Sequence, residues 1–80
     1  MSLRHELSNY AHEAWSLWME YLFELCERNA DGTVTIPKAV ADKWMRQIKT
    51  PYENLTTAEQ YADQVVADRI IEILQKHYTF

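Results

Sequence analysis

The sequence has little of what β-rich, disulfide-bonded or membrane-spanning proteins need. Its 80 residues include one Gly, two Pro and one Cys. One Gly supplies too few tight turns for an all-β domain, and a lone Cys excludes an intrachain disulfide, which fits a reducing cytoplasm. No apolar run approaches the roughly 18 residues of a membrane span, and the first ten residues are too polar for a signal peptide. We therefore expect a cytoplasmic domain that has no membrane partner.

Basic residues and catalytic patterns are scarce as well. Eight Lys and Arg stand against twelve Asp and Glu, which gives a net charge of −4. Clustered Lys and Arg drive binding to nucleic-acid phosphates, so a nucleic-acid partner is not expected. No nucleophile has a base beside it, and one Gly cannot build a phosphate-binding loop. The three His and one Cys lack the spacing of a metal site. The sequence predicts no enzyme, no cofactor and no metal.

The first predicted helix, from about Leu3 to Arg28, is apolar over more than half of its circumference. Its Glu residues form one narrow polar stripe, whereas a helix with a single contact face shows a narrower apolar side. Two explanations follow. Helix one either has neighbours on two sides or uses part of this apolar arc as an oligomer interface, so a homo-oligomer through helix one is one expected assembly.

The rest of the chain predicts two more helices. The stretch "NADG" ends helix one, and residues 33–36 favour a short extended piece. Pro37 suits the first turn of helix two, whose predicted contact face holds Val40, Ala41, Trp44, Met45 and Ile48. Pro51 ends that helix. The capping-box sequence "TTAE" starts helix three, which runs to about His77. The predicted fold is all-α: a compact three-helix domain over residues 1–80, with the extended stretch at about 33–36 between helices one and two.

The connection between helices two and three raises the question of a site. We expect Tyr52 and Leu55 to point inward at the end of the core. In helical projection Asp63 falls inside the apolar arc of helix three, where a carboxylate is costly unless it is paired. Asp63 could be a structural latch that fastens the Pro51 loop to helix three, or it could form the floor of a polar pocket with His12. The latch is favoured because buried polar groups usually find partners within the protein.

Several motifs resemble known proteins. His12-Glu13-x-Trp15, Trp18-Met19, Trp44-x-Arg46-Gln47 and Pro51-Tyr52-x-x-Leu55, with Asp63, resemble a family of small uncharacterised proteins of bacteria, phages and prophages. Of these, Ala11-His12-Glu13-x-Trp15, Pro51-Tyr52-x-x-Leu55 and Asp63 are also distantly similar to the ryanodine-receptor repeat (RyR) domain, although "NADGTVTIPKAV" stands here where that domain has a Gly-Trp-x-Tyr-Gly stretch. The RyR resemblance implies a nucleotide-like ligand. A site for it would hold His12, Trp15, Tyr52 and Asp63.

The sequence therefore leads to two functional hypotheses. The first is a non-enzymatic protein-interaction or self-associating domain of a phage or bacterium, with an unknown protein or a second copy as its partner. The alternative is a small-ligand binding module related to RyR domains, in which His12, Trp15, Tyr52 and Asp63 line a pocket.

Overall fold

The computed structural model describes residues 2–78, and three helices dominate this range. The first helix, α1, spans Leu3–Leu25. Ser2 caps it, because its hydroxyl accepts a hydrogen bond from the backbone N–H of His5 at 3.1 Å and so satisfies one of the otherwise unpaired donors of the first turn. The predicted start is confirmed. The predicted end at Arg28 is wrong, because Glu27 and Arg28 pair with a second strand instead.

A short hairpin follows α1. Strand β1 (Glu27–Arg28) pairs antiparallel with β2 (Val34–Thr35), and this confirms the extended stretch predicted at 33–36. The loop satisfies its own polar groups: the carboxylate of Asp31 accepts from the backbone N–H and the hydroxyl of Thr33 at 3.0 and 2.6 Å. The Thr33 hydroxyl bond lowers the pKa of Asp31 below its ordinary value. Gly32 has φ +90°, a conformation that favours glycine.

The second helix, α2, spans Lys38–Ile48 and begins after Pro37, as predicted. Its partly buried side holds Val40, Ala41, Trp44 and Gln47. The expectation that Met45 and Ile48 share this contact face is wrong, because both are exposed, Ile48 at 82%. A short helix contacts its neighbours through one side only. In α2 that side is centred on Trp44, so residues rotated away from it stay in solvent.

The connection after α2 contains a single turn of 3-10 helix, η1 (Tyr52–Asn54). The third helix, α3, spans Thr57–His77 and starts with the predicted capping box. The hydroxyl of Thr56 accepts from the backbone N–H of Glu59 at 3.2 Å, and the carboxylate of Glu59 accepts from the backbone N–H of Thr56 at 3.1 Å. This reciprocal pair fixes where α3 begins. Three helices and a two-stranded hairpin confirm the predicted helical fold class.

The contacts divide the chain into two units. One holds the residues up to Trp15 together with those from Thr56 onward, and the other holds Ser16–Leu55. Helix α1 contributes its first half to one unit and its second half to the other. The prediction of a single domain over residues 1–80 stays a prediction.

Few apolar residues of either unit are fully buried within the described part of the chain. Ile73, at 3% exposure, is the only buried apolar residue within 2–78. Large apolar side chains are instead exposed on every helix, among them Trp15, Leu17, Trp18, Tyr21, Phe23, Met45, Ile48, Tyr61, Val65, Val66, Ile70 and Ile71. None of the described helices combines the length and apolar character needed to cross a bilayer.

Candidate interaction surface

Two of the four predicted site residues lie together on α1. His12 and Trp15 are three residues apart, so they occupy neighbouring positions one turn apart on the helix surface. Their rings stack, with centroids 5.9 Å apart and planes inclined by 24°. Both side chains are exposed. The pair forms an exposed aromatic stack in the first unit.

The other two residues do not lie where the sequence predicts them. Tyr52 lies on η1 in the second unit and is 45% exposed, so the expectation that it points inward is wrong; Leu55 is half-buried. The Asp63 side chain is exposed and makes no hydrogen bond or ion pair within residues 2–78. The predicted core-facing position of Asp63 is therefore wrong, and the latch that depends on it has no contact to support it.

The buried carboxylate on α3 belongs to Glu59, one turn before Asp63. Glu59 is 8% exposed and is held by the capping box. Every residue of α3 from 61 to 72 is exposed, whereas Ile73 is buried and Leu74 and His77 are half-buried. The projection that places Asp63 in the core treats α3 as covered along its whole length. Because the middle of the helix is not covered, Asp63 faces water.

Charged residues join α1 and α3 in the first unit. The carboxylate of Glu6 accepts a hydrogen bond from Nζ of Lys76 at 3.0 Å, and Nε2 of His77 lies 3.3 Å from its other oxygen, without hydrogen-bond geometry. The Glu6 side chain is 14% exposed. The hydrogen bond from Lys76, assisted by the charge of Lys76 and the nearby His77, lowers the pKa of Glu6. Glu6 is thus a carboxylate that favours its ionised form.

A shallow cleft of about 220 Å³ adjoins this ion pair. Sequence reasoning misses it, although Glu6, Asn9, Tyr10 and Glu13 follow the spacing of one helix face. Arg69 lines its other side and pairs with Glu72 at 3.3 Å. None of the four predicted site residues lines this cleft. The complete lining is Glu6, Asn9, Tyr10, Glu13, Arg69, Ile73 and Lys76.

Replacing Glu6 should make stability depend less on pH. Because folding lowers the Glu6 pKa, its ionised form stabilises the folded state above the ordinary value of 4.5, and this contribution disappears as the pH falls through the folded value. Glu6→Gln should therefore be less stable than wild type at pH 7 and equally stable at pH 2, by urea unfolding. Glu13→Gln, on the same helix and without an ion pair within 2–78, is the matched control. A Glu6→Gln deficit that persists unchanged at pH 2 would contradict this linkage.

The second unit carries an aromatic cluster. The rings of Trp18 and Tyr21 stack with centroids 5.5 Å apart, and Trp44 of α2 tilts against Trp18 at 6.0 Å and 58°. Trp44 is half-buried, but Trp18 and Tyr21 remain exposed. Aromatic pairs of this geometry stabilise the contact between helices beyond the area that they bury. The cluster therefore brings α2 into contact with the second half of α1 and leaves the Trp18 and Tyr21 side chains exposed.

Two exposed apolar patches flank this cluster and differ in charge. On α1, Leu17 and Tyr21 are exposed beside Glu20 and Glu24. On α2, Met45 and Ile48 are exposed on a helix that is rich in Lys and Arg.

Comparison of the chain with protein-family models, curated proteins and solved structures finds no match.

Proposed function

We propose that the protein is a non-enzymatic interaction domain that associates with a second copy of itself. The observation that carries this proposal is the imbalance in apolar burial: within residues 2–78 only Ile73 is a buried apolar residue, while large apolar side chains are exposed on all three helices. Apolar burial is the main favourable term in folding. A chain with so few fully buried apolar residues would gain further stabilisation by covering its exposed apolar side chains with another protein surface.

The type of exposed residue supports an interaction surface as well. Trp, Tyr, Met and Leu are exposed on α1 and α2, next to charged residues. Aromatic residues and Met are enriched in the centres of protein interfaces, and charged residues form their rims. Single exposed apolar residues are ordinary on a soluble protein, but contiguous groups of them mark interaction sites. The wide apolar arc of α1 fits this description.

The alternative, a small-ligand module that uses His12, Trp15, Tyr52 and Asp63, has less support. A ligand pocket encloses most of its ligand and converges a few polar groups on it. All four residues are exposed, and none of them lines the cleft of the first unit. The stacked His12 and Trp15 rings are the part of this hypothesis that could still receive a flat ligand.

From the sequence we also propose where the protein works in the cell. The motifs that resemble small phage and bacterial proteins suggest a role inside a bacterial cell. Cys26 is a free, half-buried thiol, as expected for a protein that works in a reducing cytoplasm.

The proposal predicts that the purified full chain is a dimer or larger in solution. Sedimentation velocity between about 1 and 100 µM, a range that brackets a micromolar dissociation constant, should show at least twice the chain mass at the upper end. Because association involves only the folded chain, a higher protein concentration shifts the equilibrium between monomer and dimer toward the dimer. A monomer of unchanged mass throughout this range would overturn self-association.

A further inference from the structure

The second half of α1 presents what we call the acidic face. It consists of Leu17, Glu20, Tyr21 and Glu24, whose spacing of three and four residues places them on one side of the helix. Leu17 is 59% exposed, and Tyr21 is exposed. Glu20 and Glu24 are exposed, and no other charged residue lies between Ser16 and Leu25. The face therefore combines an apolar centre with a purely negative edge.

Helix α2 presents the opposite arrangement, which we call the basic face. Lys38, Met45 and Lys49 are spaced at seven and four residues, so they share one side, and Ile48 adjoins them. Met45 and Ile48 are exposed. Between positions 38 and 49 there are four basic residues and one acid, Asp42, which pairs with Lys38 at 2.6 Å. The basic face is an apolar pair beside Lys38 and Lys49, and Asp42 on the same side of α2 offsets part of their positive charge.

Resting on the proposed self-association, we propose that the basic face of one copy docks on the acidic face of a second copy, and reciprocally. Opposite charges around two apolar centres favour this pairing and disfavour pairing of either face with itself. A two-fold dimer uses such complementary patches twice, since residue i contacts residue j and j contacts i. Both faces lie in one unit of the chain, Ser16–Leu55, and the second copy carries the complement of each.

The exposed area is sufficient for such a dimer. Leu17, Tyr21, Met45 and Ile48 of the two faces, together with Trp18, which stacks on Tyr21, are exposed by 43% to 82%, which corresponds to about 100 Å² of surface for each side chain. Covering these side chains in both copies buries on the order of 1,000 Å², which is the lower limit for a specific protein interface. The charged edges of the two faces add a rim to this apolar centre.

A charge-swap experiment tests the pairing in the full-length chain. The acidic-face variant is Glu20→Lys with Glu24→Lys, and the basic-face variant is Lys38→Glu with Lys49→Glu. Each variant alone brings like charges together, so its dimer dissociation constant should rise at least about tenfold. An equimolar mixture restores opposite charges at both contacts and should sediment as a dimer, at nearly wild-type strength. Circular dichroism confirms that each variant remains helical.

Controls separate this inference from the proposed function. Asp63→Lys with Asp68→Lys places the charge change of the acidic-face variant on exposed residues of α3, outside both faces, and should leave the dissociation constant within about threefold of wild type. If wild type is a monomer, self-association and this pairing both fail. If wild type is a dimer but the swapped variants dimerise equally well alone, or their mixture gains nothing, only the pairing of the two faces is overturned.

Discussion

Ile73→Ala is expected to destabilise the protein by about 2–5 kcal/mol, because truncating a buried Ile removes its transfer free energy and leaves a cavity. Ile73 is 3% exposed and is the only buried apolar residue within 2–78. A chain of this length has a total stability of about 4–12 kcal/mol, so the loss is a large fraction of the whole. Urea unfolding followed by circular dichroism, at one fixed protein concentration, measures it.

Ile71→Ala is the matched control, since it is the same change on the same helix, two residues away. Ile71 is 48% exposed, and exposed substitutions usually stay within about 0.5 kcal/mol. The contrast between the two variants separates burial from residue type and from helix propensity. Equal losses for Ile71→Ala and Ile73→Ala would mean that α3 is covered on both sides, against the exposure described above.

The second large effect is expected at the start of α3. Thr56→Ala should destabilise the protein by about 0.5–2 kcal/mol, the usual loss for an N-cap residue. Glu59→Ala should cost about 1–3 kcal/mol, because it removes a charged acceptor from a buried position and leaves the backbone N–H of Thr56 without it. The two residues act as one reciprocal pair. The double variant should therefore lose less than the sum of the single variants, by about 0.5 kcal/mol or more.

Chemical unfolding of all four proteins completes this double-mutant cycle. Thr57→Ala serves as the control, because Thr57 is the neighbouring residue of the same type and its side chain makes no capping bond. Its stability should stay within about 0.5 kcal/mol of wild type. Strict additivity of Thr56→Ala and Glu59→Ala would show that the capping box contributes nothing as a unit.

Local signals in the sequence predict the helix boundaries well. Pro37 and Pro51 bracket α2, and the capping box of Thr56 and Glu59 starts α3. Each signal acts within a few residues, through a fixed φ angle or a side chain that reaches the nearby backbone, so no tertiary information is needed. The end of α1 is different. Arg28 pairs with Val34, and strand pairing across a loop leaves no mark on the helical pattern that precedes it.

Side-chain positions in the candidate site are harder to predict, because periodicity shows which residues share a face but not which faces are covered. Asp63 shares a face of α3 with Ile70, and the sequence cannot show that this stretch of the helix has no cover. The prediction that Met45 and Ile48 lie on the contact face of α2 is wrong for the same reason. The cleft beside Glu6 is lined by residues of both α1 and α3. Because these residues are far apart in the sequence, no local pattern predicts that they lie together.

The scarcity of buried apolar residues has a consequence for the life of the protein in the cell. If helices are covered only after assembly, newly made chains remain vulnerable to proteases until they meet one another, and dilution during growth returns part of the population to that state. Abundance would then set lifetime: a well-expressed protein persists, whereas a weakly expressed one is degraded. The cellular concentration of such a chain would then depend steeply on its rate of synthesis, because degradation removes the unassembled chains.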